Sequence, residues 1–61
     1  MNFIKIQHMI FASRTIHSIE WKNNTIVVHI EKGGFEVFEY ENLDAAGKAY
    51  KDIYEQLNKL S

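Results

Sequence analysis

The sequence predicts an α+β fold: a four-stranded antiparallel β-meander, its first strand bent or interrupted, with a C-terminal amphipathic α-helix packed across one face. Three observations carry this expectation. Residues 16–22 alternate, setting His17, Ile19 and Trp21 on one side and Ile16, Ser18 and Glu20 on the other. Asn23-Asn24 then offers two residues that tolerate positive φ, as a two-residue type I′ turn requires. From residue 43 to residue 60, Leu43, Ala46, Tyr50, Ile53, Leu57 and Leu60 follow at spacings of 3, 4, 3, 4 and 3, one apolar stripe of a helix.

The elements follow in order. Phe3 to Gln7 and Met9 to Phe11 are rich in strand formers, so residues 3–11 read as one bent strand, and Ala12-Ser13-Arg14-Thr15 as a turn before the second, 16–22. With Lys22 opposite Thr25, Trp21 faces Ile26, Ile19 faces Val28 and His17 faces Ile30, an apolar agreement that a slip of one residue destroys. The third and fourth strands, 25–32 and 34–41, are joined at Lys32-Gly33 or across Glu31 to Gly34. Either loop sets Ile30 opposite Phe35, Val28 opposite Val37 and His29 opposite Glu36, a favourable cross-strand pair. A Gly33-Gly34 loop is rejected because it opposes Glu31 to Glu36. Asn42 caps the helix and Asp44 suits its first turn. Asp44 with Lys48, Lys51 with Glu55 and Glu55 with Lys59 stand four apart with opposite sign, each pair adding only about 0.2–0.5 kcal/mol. Gly47 costs about 1 kcal/mol relative to alanine within a helix, which points to close approach of the sheet, at the Trp21 ring.

Composition limits what such a chain can be. Its 61 residues make one ββββα domain over 1–61, without proline, repeat or linker. A chain this short buries about 60% of the surface its unfolded form exposes. Without cysteine it has neither disulfides nor thiolate metal sites, so association remains as the stabilising route. Seven Lys and Arg against eight Asp and Glu give a net charge of −1 and no field to gather a polyanion. The first residues lack the charged leader and apolar core of a signal peptide, and no apolar run is long enough to span a bilayer, so a cytoplasmic protein without membrane contact is expected.

No motif points to catalysis, a metal or a cofactor, and none is expected. His17 and His29 fall on opposite faces and His8 in a bend, so the three imidazoles do not converge. Ser18, His29 and Glu36 should form a row imitating a serine, histidine and acid set, but a flat sheet supplies neither a water-excluding pocket nor free amides for an oxyanion. The row reads better as a polar strip within an interface. Gly33-Gly34 lacks the surroundings of a phosphate loop and is a turn. Tyr50 and Tyr54 read as packing residues, and Lys48, Lys51 and Lys59, interspersed with Asp52 and Glu55, as a solvated face.

The hairpin is apolar on both faces, and one helix covers only one of them. The helix is expected over Ile19, Trp21, Ile26, Val28, Ile30, Phe35 and Val37. The remaining surface, Ile16, Val27, His29, Glu36, Phe38 and Tyr40, is the candidate interaction site. The expected protein is a non-enzymatic interaction module, homo-oligomeric (a dimer or higher) through the uncovered sheet face or edge, with a protein target as a further possibility. The competing cover is the N-terminal segment, since Phe3, Ile4, Ile6, Met9, Ile10 and Phe11 also need burial. Four antiparallel strands followed by a helix resembles, in topology alone, the Whirly type of single-stranded DNA binder, whose subunits associate and use sheet surfaces for nucleic acid. That resemblance implies single-strand binding as the alternative function, with Phe38 and Tyr40 stacking bases. Glu20, Glu36, Glu39 and Glu41 oppose it, so nucleic acid is the less favoured partner.

Overall fold

The structure is a computed structural model, and it describes residues 2–59. It contains β1 (Phe3–Ile6), β2 (Met9–Ala12), a 3-10 turn (Ser13–Thr15), β3 (Ile16–Lys22), β4 (Thr25–Ile30), β5 (Phe35–Glu39) and α1 (Leu43–Asn58). The architecture is α+β, but the strands divide into a two-stranded sheet, β1-β2, and a three-stranded sheet, β3-β4-β5. The expected four-stranded meander, on which the Whirly resemblance rests, is therefore not formed among the described residues. The break lies at Gln7-His8. Gln7 adopts φ 51° and the chain folds back, pairing Ile4 with Phe11 and Ile6 with Met9. Gln7 Nε2 donates to the Glu39 carbonyl at 3.1 Å, so a tertiary contact holds a residue that rarely takes this conformation.

After β2 the 3-10 turn redirects the chain. Thr15 Oγ1 donates to the Ala12 carbonyl at 2.7 Å, and Ser13 N–H donates to that of Asn2 at 3.0 Å. The β3-β4 register is the expected one from Lys22↔Thr25 to Ile19↔Val28. Only Asn23 of the turn pair takes positive φ (55°), so the turn is not of type I′. Asn24 serves otherwise: its carbonyl accepts from Tyr40 N–H and its Nδ2 donates to the Tyr40 carbonyl, both at 2.8 Å. Further along, the register shifts between Ile16 and Ser18, which places Ile16 rather than His17 opposite Ile30.

The β4-β5 register differs from expectation by one residue. Ile30 N–H donates to the Gly34 carbonyl at 2.8 Å, and Gly33 N–H to that of Ile30 at 3.0 Å, closing a three-residue loop of Glu31, Lys32 and Gly33. Gly33 has φ 90°, the left-handed residue such loops use in third position. An odd loop in place of an even one exchanges the faces of the whole following strand. Ile26 pairs with Phe38, Val27 with Val37, Val28 with Glu36 and His29 with Phe35.

Ile26, Val28 and Phe38 thus share a face and are buried with Ile4, Ile6, Phe11, Ala46 and Ile53 in one cluster. Two elements cover this face: α1, through Ala46 and Ile53, and the β1-β2 hairpin, whose Phe11 ring meets Phe38 edge-on at 6.2 Å and 77°. The helix starts as expected, with Asn42 Oδ1 accepting from Ala45 N–H at 2.8 Å. Leu43, first of the apolar stripe, is exposed, and Leu60 lies outside the described residues. Gly47 faces Trp21 as expected, since a Cβ there would stand 2.9 Å from Trp21 Cζ2. Gln56 spans the helix-hairpin gap: its Oε1 accepts from Lys5 N–H and its Nε2 donates to the Lys5 carbonyl, both at 3.0 Å. The three expected helix ion pairs are not closed; among the described residues the side-chain contact between a basic and an acidic residue is that of His29 with Glu20. No helix among these residues is long and apolar enough to cross a membrane.

Candidate interaction surface

Directly opposed residues on neighbouring strands project to the same side, so the far face of the β3-β4-β5 sheet is read from the registers as three rows: Ser18-His29-Phe35, Glu20-Val27-Val37 and Lys22-Thr25-Glu39. Neither α1 nor the first hairpin reaches this side. Phe35 remains 61% and Val37 51% exposed, with half-buried Val27 between Val37 and Glu20. The apolar centre is small and contiguous, and charged residues rim it, the usual composition of a contact patch.

His29 organises the polar side of the patch. Its Nε2 donates to Glu20 Oε1 at 2.7 Å, diagonally across the strand pair, and its ring lies 6.3 Å from that of Phe35. The expected partner, Glu36, is opposite Val28 on the other face. The expected row of Ser18, His29 and Glu36 therefore does not form: Ser18 stands opposite His29, the acid bonded to His29 is Glu20, and no hydrogen bond joins Ser18 to His29 among the described residues. Among the described residues no three His, Cys, Asp or Glu side chains stand together as metal ligands.

Of the six residues expected at this surface, Val27 and His29 are there. Phe38 is 5% exposed and belongs to the core. Tyr40 and Ile16 pack against that core from the helix side, and Glu36 shares their face through its pairing with Val28. Burial raises the Tyr40 phenol above its ordinary pKa, a hydrogen bond from Gln7 works the other way, and the Asp52 charge adds to the rise. Phe35 and Val37 are the residues that sequence reasoning placed under the helix. The signal that would have found them was Gly33 as third residue of a three-residue loop.

A second feature borders β3 on the helix side. Tyr50, Tyr54 and Leu57 of α1 stand off from Ile16 and Ile19 to leave a cleft of about 200 Å³. Toward the helix start, Trp21, Leu43, Asp44, Lys48 and Lys51 line another of about 340 Å³. Trp21 separates from neither neighbour: its ring lies 5.6 Å from Tyr50 and its Nε1 donates to the Asn23 carbonyl at 2.8 Å. Comparison of the chain with protein families, with curated proteins and with solved structures finds no match.

Proposed function

We propose that this protein is a small, cytoplasmic, non-enzymatic interaction module that associates with copies of itself through the open side of the β3-β4-β5 sheet. The observation that carries the reading is the pair of exposed side chains Phe35 and Val37 beside Val27, apolar area that the other described residues leave uncovered. A core built from so few residues makes association the available source of further burial. Glu20 and Glu39 flank the patch and oppose a phosphate backbone, which favours protein over nucleic acid as the partner. The absence of cysteine suits a reducing compartment.

Val27→Asp tests the reading because Val27 sits at the centre of the patch on the middle strand. Sedimentation should show the wild type associating as its concentration rises through the micromolar range, and the variant should remain a folded monomer with unchanged helical circular dichroism. A wild type that stays monomeric at high micromolar concentration overturns the proposal.

A further inference from the structure

Both edges of the β3-β4-β5 sheet lack a strand partner among the described residues. On β5, Tyr40 N–H donates to Asn24 and the Gly34 carbonyl accepts from Ile30. Alternation along an antiparallel pair therefore turns the backbone groups of Phe35, Val37 and Glu39 away from β4. Gln7 takes the Glu39 carbonyl, at the end of the strand. On β3 the same alternation turns Ile19 and Trp21 outward.

The two edges differ in charge. Residues 34–43 carry Glu36, Glu39 and Glu41 and no lysine or arginine. Beside β3 stand Lys48 and Lys51, at the Trp21 cleft, with Asp44, and Lys22 ends the strand. None of these three lysines is in an ion pair among the described residues. Pairing β3 with β3 can set Lys22 opposite Glu20, but it puts both helices on one side of the sheet and brings their Lys48 and Lys51 flanks together, and pairing β5 with β5 joins two strands whose charges are all glutamates. Pairing β3 with β5 instead sets the lysine flank against the acidic strand.

Resting on the self-association proposed above, we propose that β5 of a second copy adds antiparallel to the free edge of β3, with the second copy turned over so that its helix lies on the opposite side of the extended sheet. This orientation satisfies the ladder: the outward-bonding residues, Ile19 and Trp21 on β3 and Phe35 and Val37 on the second copy's β5, then project to one side. It also carries the exposed Phe35 and Val37 of the second copy toward the clefts beside Trp21, Tyr50 and Tyr54. Setting Trp21 against Val37 places Lys22 opposite Glu36, whereas a register two residues away places Glu20 opposite Glu36. Charge selects the first. The contact is heterologous, so copies join head to tail.

Charge exchange tests this. Lys22→Glu with Lys51→Glu makes the β3 side acidic, and Glu36→Lys with Glu39→Lys makes β5 basic. Each double variant alone should associate on the order of tenfold more weakly than the wild type. An equimolar mixture should recover association, since every contact in an alternating assembly is then complementary. Wild-type association should also weaken between about 0.05 and about 0.5 M salt. Should the Lys22→Glu, Lys51→Glu variant fail to fold, Lys22→Gln with Lys51→Gln removes the attraction without adding like charge. Charge variants that associate as the wild type does, while Val27→Asp does not, overturn the edge contact and leave the face reading standing. A monomeric wild type overturns both.

Discussion

Gly47→Ala is a change whose sign depends on one neighbour. In a helix interior, alanine is favoured over glycine by about 1 kcal/mol. Here the added Cβ would lie 2.9 Å from Trp21 Cζ2 and 3.0 Å from Cη2, against about 3.5–4.0 Å for carbon atoms in comfortable contact. The ring is not free to yield, because it packs on Tyr50 at 5.6 Å and holds a hydrogen bond to the Asn23 carbonyl. Forcing such a side chain aside costs about 1–3 kcal/mol. The central expectation is a net loss of about 1 kcal/mol, near 8 °C in melting temperature for a chain of this size. With Trp21→Leu the obstructing ring atoms are gone, and the same glycine-to-alanine change should stabilise by about 1 kcal/mol. Urea unfolding of the four species, followed by circular dichroism, measures the coupling, which should be about 2 kcal/mol. Equal stabilisation by Gly47→Ala in both backgrounds would refute the close-contact account.

The β4-β5 register and the Tyr40 environment make further predictions. Phe38→Ala should cost about 3–5 kcal/mol, most of the roughly 3–9 kcal/mol expected for a chain this short, whereas exposed Phe35→Ala should change the monomer by less than about 0.5 kcal/mol. Similar losses for the two, measured by urea unfolding, would contradict the register. Because burial raises the Tyr40 pKa, the unfolded chain releases this proton first as pH rises. Stability from this group should be complete below pH about 10 and decline above it, and Tyr40→Phe should lessen that alkaline loss. Denaturation midpoints compared between about pH 8 and about pH 11 check the sign; an alkaline decline of the same size in the variant would refute the assignment.

Local chemistry made several elements legible. Asn42 has the side chain an N-cap needs, the Lys22↔Thr25 pairing follows from the Asn23-Asn24 turn, and an isolated helical glycine opposite a tryptophan signals close approach. Other features depend on distant parts of the chain. Gln7 has no turn propensity to announce the first hairpin, and its side chain is held by β5, 32 residues away. The shift between Ile16 and Ser18 breaks an alternation that looks complete on paper. The candidate surface was half legible for a narrower reason. Val27 and His29 lie on the strand whose pairing with β3 was correctly read, while Phe38 and Tyr40 follow a loop counted as even. One glycine in the left-handed region changed that count, and Phe35 and Val37 exchanged places with Glu36 and Phe38.

The Gln56 amide has a consequence for the order in which the molecule is assembled. It presents to Lys5 an acceptor and a donor, as the backbone of a third strand would. Fifty-one residues separate the two partners, so this substitute strand arrives only after a long loop closes, whereas all three hairpins form from near neighbours. Until the helix docks, β1 is one more open edge, able to recruit strands indiscriminately. Docking caps that edge at Lys5 and leaves, beside that of β2, the edges of β3 and β5, which differ in charge. The helix thereby acts as a timer on stickiness as well as a cover for the core.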